Sequence, residues 1–123
     1  MNRLEHITEA VIAININQTY RFGLSTTDLY DFTRGIWRLN KARAENAKYA
    51  FSVYQGEIKE VYEIKNWYDA GSTEYRTRQF GFDETKDRYE FVGQIASESV
   101  REKYVGKIMP KAHRQNPINY YNC

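Results

Sequence analysis

Two short segments of the sequence place arginines directly beside aromatic residues. Residues 34–38 read RGIWR, and residues 75–82 read YRTRQFGF. A guanidinium binds phosphate through paired donors and stacks on bases, and an aromatic ring offers its flat face to a base. The pattern therefore predicts a nucleotide-binding site that includes Arg34, Trp37, Arg76 and Arg78.

The aromatic rings in these segments differ in how well they suit stacking on a ligand. Trp37 is of a type found more often in a core than on a binding platform. Phe80 alternates with Phe82, so only one of the two needs to face inward. Because Phe82 lies between Gly81 and Asp83, we expect it to be the ring that stacks on a base.

The C-terminal part of the chain is basic. After Glu102 the sequence has no acidic residue, and its basic side chains include Lys103, Lys107, Lys111 and Arg114. Lysines four residues apart lie along one side of a helix. A row of this kind is usually a solvated helix face, and the alternative is a phosphate-binding surface. Within the turn that follows, we expect Arg114 to hold phosphate and Asn116 to read a polar edge of the ligand.

The sequence provides few groups for catalysis. Its two histidines, His6 and His113, lie near opposite ends of the chain, and neither stands at metal-binding spacing from another ligand. The nucleophile-elbow, phosphate-loop and dinucleotide-binding glycine motifs do not occur. We therefore predict that the protein is not an enzyme and that it uses no catalytic residue, metal or cofactor.

The candidate residues need a scaffold, and strand patterns supply most of it. Alternation predicts a central strand over 9–17, with its isoleucines on one face, a strand over 89–94, and a last strand over 117–122. The polar stretch over 69–87 is longer than a usual connection, which predicts a functional loop or a distorted hairpin.

The sequence also predicts short helices. Cap residues and apolar spacing predict helices over 27–34 and near 40–48, and a capping-box pair, Ser99 and Glu102, predicts a third over 99–109. The whole pattern indicates a single domain over residues 1–123. We predict an α+β fold, with an antiparallel or mixed β-sheet of about five or six strands and two or three short helices.

The clearest local feature is a β-hairpin over 49–54 and 57–65, joined by a Gln-Gly pair. A simple two-residue loop pairs Phe51 with Glu60 and Tyr49 with Tyr62, so Glu60 falls on the apolar face. Burying an unpaired carboxylate is costly. We expect a bulge or an edge position that turns Glu60 to water, and the alternatives are a ligand contact and, least favoured, a general acid.

Composition limits the possible partners and compartments. The 123 residues are 41% hydrophobic and 28% charged, with a net charge of +2 and one cysteine, Cys123. The longest apolar stretch is too short to span a membrane, and a lone cysteine suits a reducing setting, so we expect a cytoplasmic protein. The 15% aromatic content with so small a net charge favours a compact nucleotide and argues against a nucleic-acid partner.

Four segments of the chain resemble a known family. They read TRGIWR at 33–38, YQGEIKEVY at 54–62, YVGK at 104–107 and QNPINYYNC at 115–123. Together they look like the phage Thoeris anti-defence proteins, over nearly the whole chain. The resemblance implies a homo-oligomer in the host bacterial cytoplasm that sequesters a cyclic ADP-ribose isomer, the immune signal of bacterial TIR enzymes, without cleaving it.

Two function classes follow as expectations. In the first, the protein is a sponge in which Phe82 stacks on adenine, Arg76, Arg78 and Arg114 hold the pyrophosphate, and Asn116 reads a polar edge. In the second, it is a PUA-like reader of nucleic acid or modified bases, because the chain is rich in strands and has a Trp beside an Arg. A third possibility, a phage protein that blocks an enzyme by contact, would use the same aromatics as interface anchors.

Overall fold

A computed structural model describes residues 2–17, 23–76 and 78–123, and of Phe82 it describes only the backbone. The described elements are β1 (Val11–Asn15), α1 (Thr26–Arg34), α2 (Lys41–Asn46), β2 (Tyr49–Tyr54), β3 (Glu57–Asp69), α3 (Phe82–Thr85), β4 (Tyr89–Ile95), α4 (Glu98–Tyr104) and β5 (Ile118–Tyr121).

The strands form one mixed sheet in the order β4-β3-β2-β1-β5. β1 pairs in parallel with β2, and the other neighbours are antiparallel. Parallel neighbours need a crossover, and here the chain makes it through α1 and α2. The fold is α+β with five strands, as predicted. Within the described ranges it has four helices, because α3 forms inside the polar stretch before β4.

Both faces of the sheet are buried, which the alternation in β1 anticipates. Val11 and Ala13 join a cluster with Phe51 and Tyr104, whereas Ile12, Ile14 and Ile16 join one on the other face. We call these the first and the second core cluster. α1 and α2 contribute to the second cluster, and α4 to the first. β1 is internal, between β2 and β5, as expected for a strand that is apolar on both faces.

The helix starts follow the predicted caps. Ser25 accepts a hydrogen bond from the backbone N–H of Asp28 at 3.0 Å, and Asn40 accepts one from Arg43 at 3.2 Å. These bonds satisfy N–H groups that the first helical turn leaves without partners. The third predicted helix is wrong in its limits: α4 begins after Ser97 and ends at Tyr104, and the left-handed Gly106 (φ 83°) follows its end.

Much of the aromatic content fills the second core cluster. The ring of Phe91 lies 5.3 Å from Trp67, 6.2 Å from Tyr30 and 6.3 Å from Tyr62, measured between centroids. Tilted and edge-on contacts of this kind are the favourable ones for aromatic rings. Aromatic abundance is therefore largely a property of the core.

The hairpin forms where predicted, but its register shifts beyond the first two residue pairs next to the turn. Val53 pairs with Ile58, and a bulge between Ser52 and Val53 then sets Phe51 opposite Val61 instead of Glu60. The predicted pairing of Phe51 with Glu60, and with it that of Tyr49 with Tyr62, is therefore wrong. A bulge adds one residue to one strand and reverses every side chain beyond it. The hairpin face that carries Ala50 and Tyr62 packs in the second core cluster.

Glu60 was expected to turn to water, and this is wrong. The side chain is 8% exposed and accepts from Arg101 Nε at 2.8 Å, from Arg101 Nη2 at 3.1 Å and from the Val61 N–H at 3.0 Å. Hydrogen bonds to Glu60 raise the pKa of Arg101. The carboxylate thus ties β3 to α4 through a bidentate ion pair.

Among the described residues, no helix has both the length and the apolar character needed to cross a bilayer.

Candidate functional site

A cavity of about 310 Å³ opens where the C-terminal end of β1 meets the segment that follows α1. Its described lining includes one indole, one arginine and several side-chain amides, and none of the lining residues is a carboxylate. We call it the Trp37 cavity. The lining residues that matter for its chemistry are Asn15, Asn17, Phe32, Trp37, Arg78 and Gln115.

Trp37 is fixed on both its backbone and its side chain. Its N–H and C=O exchange hydrogen bonds with Tyr89 at 3.0 and 2.9 Å, and its Nε1 donates to the Thr33 carbonyl at 2.8 Å. The ring is half-buried and packs against the second core cluster. Because its only polar donor is used internally, what the indole can offer a ligand is apolar ring surface in a fixed orientation.

Arg78 closes the C-terminal end of α1. Its Nη1 donates to the carbonyl oxygens of Asp31 at 3.1 Å and of Gly35 at 2.6 Å, and its guanidinium lies 4.5 Å from the Phe80 ring centroid. Carbonyls at a helix end lack intrahelical partners and favour a cation. Burial lowers the pKa of Arg78. Backbone carbonyls and the Phe80 ring therefore hold Arg78 in a position that also lines the cavity.

Asn15, at the end of β1, builds the opposite wall. The side chain is 9% exposed, and its Nδ2 donates to the carbonyl oxygens of Arg114 at 2.9 Å and of Asn116 at 2.6 Å. The amide of Asn119 donates to the same two carbonyls at 3.1 and 3.0 Å. These bonds fix the turn before β5 and bring Gln115 to the cavity.

His113 lines a neighbouring surface cleft and holds Asn15 from that side. Its Nε2 lies 2.9 Å from Asn15 Oδ1, and its Nδ1 lies 2.7 Å from the Tyr121 hydroxyl. Since the Asn15 amide nitrogen already donates to carbonyls, Oδ1 is the acceptor, which places the imidazole proton on Nε2. Burial lowers the pKa of His113 and raises that of Tyr121. A neutral imidazole therefore suits this site, in which its Nδ1 accepts a hydrogen bond from the Tyr121 hydroxyl.

The amides at the cavity carry both donors and acceptors. Asn17 Nδ2 donates weakly to Gln115 Oε1 at 3.4 Å, and Asn17 Oδ1 accepts from the Gln55 N–H at 3.0 Å. Asn17 and Gln115 are exposed. Side-chain amides match the donor and acceptor pairs on base edges, so this rim can exchange its long internal bond for one with a base.

Three exposed cations are close in sequence to residues that line the cavity, and none of the three is among its described lining residues. Arg38 follows Trp37, and Lys111 and Arg114 belong to the turn region that carries Gln115; all three side chains are exposed. Lys111 and Gln115 also line a neighbouring surface cleft. The described lining itself is aromatic and amide-rich, with Arg78 as its cation.

The structure distributes the sequence-predicted residues over separate places. Trp37 and Arg78 are among the described lining residues of the Trp37 cavity, and Arg114 and Asn116 are not. The backbone carbonyls of Arg114 and Asn116 accept hydrogen bonds from Asn15, and their side chains are exposed. Arg34 and Arg76 line another cavity, of about 480 Å³, between α1 and β4. Arg76, Arg78 and Arg114 thus do not meet in one cavity. The Phe82 side chain lies outside the described residues.

Three polar residues that line the candidate site were not among the predicted site residues: Asn15, Asn17 and Gln115. A signal for the first two existed, because polar residues follow an isoleucine-rich strand at its C-terminal end, where many mixed and parallel sheets place ligands. Gln115 belongs to a turn whose donors and acceptors did signal a possible base contact, but Arg114 and Asn116 were the residues chosen from it; which of the three reaches the cavity depends on how Asn15 holds the turn.

No group of three or more His, Cys, Asp or Glu side chains within the described ranges is placed to hold a metal ion. Comparisons with protein-family models, with curated proteins and with solved structures gave no match to this chain.

Proposed function

We propose that the protein is a non-catalytic nucleotide-binding protein whose Trp37 cavity holds one nucleobase. The observation that carries the proposal is the convergence of an anchored indole with the amides of Asn17 and Gln115 in a cavity of about 310 Å³. Pockets of roughly this size, mostly apolar with a few convergent polar groups, are the usual form of small-ligand sites.

The indole supplies the affinity. Stacking a base on an aromatic side chain contributes about 1–3 kcal/mol. Because bonds to Thr33 and Tyr89 already orient Trp37, little side-chain entropy is lost when a base binds. The amides of Asn17 and Gln115 supply selectivity, since a well-placed pair of hydrogen bonds discriminates between bases by about 1–3 kcal/mol.

A base carried by a nucleic acid is the ligand that this geometry favours. Exposed Arg38, Lys111 and Arg114 lie beside the cavity, where they can contact the flanking phosphates of a strand whose base turns inward. Binding of this kind is what we expect of a PUA-like reader of nucleic acid or modified bases, and we favour that function over the sponge. The turn region that carries Lys111 and Arg114 contains no acidic residue.

The second candidate ligand is a free cyclic ADP-ribose isomer, whose base would bind in the same cavity without a nucleic-acid strand. The small net charge of +2 favours it, because such a ligand has few phosphates. Its pyrophosphate needs several cations, however, and among the described lining residues Arg78 is the only one. In this case the protein would sequester the signal and block TIR-based bacterial defence, as its resemblance to the Thoeris anti-defence proteins implies.

One set of titrations distinguishes the two sources. Fluorescence anisotropy measures binding of labelled single- and double-stranded oligonucleotides, with unmodified, 5-methylcytosine or N6-methyladenine bases, at low and moderate salt. Calorimetry measures binding of cyclic ADP-ribose isomers, and mass spectrometry of the heated complex then detects intact or cleaved ligand. Salt-dependent oligonucleotide binding supports the reader, and binding of intact cyclic nucleotide supports the sponge. Binding of neither, or cleavage of the ligand, contradicts the proposed function.

Variants locate the site. Trp37→Leu removes the stacking surface and should weaken binding roughly 5- to 150-fold, the equivalent of about 1–3 kcal/mol. Lys111→Glu should weaken oligonucleotide binding and flatten its salt dependence, because one phosphate contact is lost. The matched control is Lys65→Glu, the same charge change at an exposed position of β3. Equal effects of both charge changes would contradict a phosphate-binding role for Lys111.

A further inference from the structure

A surface cleft of about 290 Å³ lies beside the Trp37 cavity, and we call it the Arg3 cleft. Gln115 lines both spaces, so a ligand in either one is next to the same side chain. Three parts of the chain build the cleft: the N-terminal segment, the hairpin turn and the segment between α4 and β5. Its polar side chains come from Arg3, Gln55, Lys111, His113 and Gln115.

Backbone hydrogen bonds join the three segments. The N–H of Leu4 donates to the carbonyl of Ile108 at 2.8 Å, and the N–H of Ile108 donates to the carbonyl of Asn2 at 2.8 Å. The N–H of Met109 donates to the carbonyl of Gly56, in the hairpin turn, at 2.7 Å. These bonds fix the relative positions of the segments, so the cleft has a defined shape before a ligand binds.

Arg3 enters the cleft with donors still available. Its Nη1 donates to the Met109 carbonyl at 3.0 Å, which orients the guanidinium. The side chain is exposed, and its Nε and Nη2 donate to none of the described residues. A guanidinium presents its N–H groups in a fixed fork that matches the oxygens of a phosphate. Arg3 is therefore both oriented by the protein and accessible to a ligand.

The charge of the cleft is positive and unbalanced. Lys111 is exposed and forms no hydrogen bond or ion pair with a described residue. None of the described lining residues is a carboxylate, and Glu57, next to the hairpin turn, pairs with Lys59 at 3.2 Å. His113 adds no charge, because both its ring nitrogens have partners and burial lowers its pKa. The two cations of the cleft thus have no acidic partner within it.

A phosphodiester matches this surface. It carries one negative charge on two oxygens, which suit a guanidinium fork together with an ammonium group. The side-chain amides of Gln55 and Gln115 add neutral donors of the kind that often contact phosphate. Because Gln115 also lines the Trp37 cavity, a base in that cavity and a phosphate in the cleft can be bound at the same time.

We propose that the Arg3 cleft binds the phosphodiester that neighbours the base held in the Trp37 cavity, with Arg3 and Lys111 on its two free oxygens. The cleft deepens the proposed function and rests on it, because the base in the Trp37 cavity decides which phosphate reaches Arg3. It gives the strand a path from the cavity toward the N-terminal segment.

An abasic single strand tests the cleft without any base. Fluorescence anisotropy measures binding of a labelled deoxyribose-phosphate strand over a range of salt concentrations. Arg3→Gln and Lys111→Gln should each weaken binding about three- to tenfold and reduce the slope of log K against log salt by about 0.7, since one phosphate contact is lost. Lys65→Gln, the same change at an exposed position of β3, is the matched control and should weaken binding less than about twofold.

The double variant tests whether the two cations share one phosphate. If they do, the combined Arg3→Gln and Lys111→Gln change should weaken binding by clearly less than the product of the single effects, whereas two independent surface cations should be additive. Lys111→Gln is the cleaner single change, because Lys111 has no described partner whose loss would disturb the fold.

Trp37→Leu separates the cleft from the base cavity. It should leave binding of the abasic strand unchanged and weaken only strands that carry bases. If it affects neither kind of strand while both cleft variants weaken the abasic one, the base cavity is contradicted and the cleft is supported. Three results would overturn the cleft: no measurable binding of the abasic strand, an effect of Lys111→Gln no larger than that of Lys65→Gln, or full additivity of the two cleft variants.

Discussion

The ion pair between Glu60 and Arg101 provides the most direct test of how this fold is held together. Two hydrogen bonds, at 2.8 and 3.1 Å, join a guanidinium on α4 to a carboxylate that is 8% exposed on β3. Replacing Arg101 by Leu keeps apolar contact surface and removes both bonds. The carboxylate is then left buried with only the Val61 N–H of these partners.

The size of the effect follows from burial. Removing one partner of a fully buried ion pair costs about 3–5 kcal/mol. The Arg101 side chain is 35% exposed, so water can reach the vacated space, and solvent screening reduces the expected cost to about 1–3 kcal/mol. For a chain of 123 residues, each kcal/mol corresponds to about 4 °C in Tm. Glu60→Gln should cost less, because an amide oxygen still accepts from Arg101.

A double-mutant cycle in urea measures the coupling. We expect a coupling energy of about 1 kcal/mol or more between Arg101→Leu and Glu60→Gln. The comparison variant is Lys59→Met, which removes a 3.2 Å ion pair with Glu57, a more exposed carboxylate at 25%, and should cost less than about 1 kcal/mol. A coupling below about 0.3 kcal/mol, or an Arg101 variant no less stable than the Lys59 variant, would refute this account of Glu60.

Three further predictions concern single positions. A Cβ at Gly93 would lie 2.2 Å from the Glu63 carbonyl oxygen, so Gly93→Ala should cost more than about 3 kcal/mol in urea unfolding, and an unchanged stability would contradict the β3–β4 pairing. Burial lowers the pKa of His113 below 6.5; the unfolded state then binds more protons, so stability should fall as pH decreases from about 6.5, and His113→Gln should flatten that decline. Gly56 has φ 80° and no atom within 4 Å of an added Cβ, so Gly56→Ala should cost about 1 kcal/mol through backbone conformation alone, whereas Gly81→Ala, at φ −81°, should change stability by less than about 0.5 kcal/mol.

The candidate site illustrates how far sequence reasoning reached. Arg34, Trp37, Arg76 and Arg78 were identified from their types and spacing, and all four line cavities. Arg76 and Arg78 are neighbours in the sequence but line different cavities. Different residues of α1, Asp31 and Phe32, line these two cavities. Trp37 was weighed as a core residue and Phe82 as the stacking one; Trp37 lines the candidate site and packs on the core as well.

Local patterns in the sequence determined the strands, the helix starts and the hairpin turn. The alternation in β1, the caps at Ser25 and Asn40, and the Gln-Gly turn act over a few residues, where backbone sterics and hydrogen bonding decide the outcome. The third predicted helix runs to residue 109, whereas α4 ends at Tyr104. Local patterns do not fix this end, because it depends on Gly106 and on packing against β3.

Tertiary structure alone decided the partners of the buried polar groups. Glu60 meets Arg101, Glu90 meets the backbone of the loop after β3, and Asn15 holds a turn about 100 residues away. Each of these groups had to find a partner, because leaving a buried donor or acceptor unpaired costs more than most single contacts contribute. Composition makes that need predictable, but only the folded chain brings a particular partner within hydrogen-bonding distance.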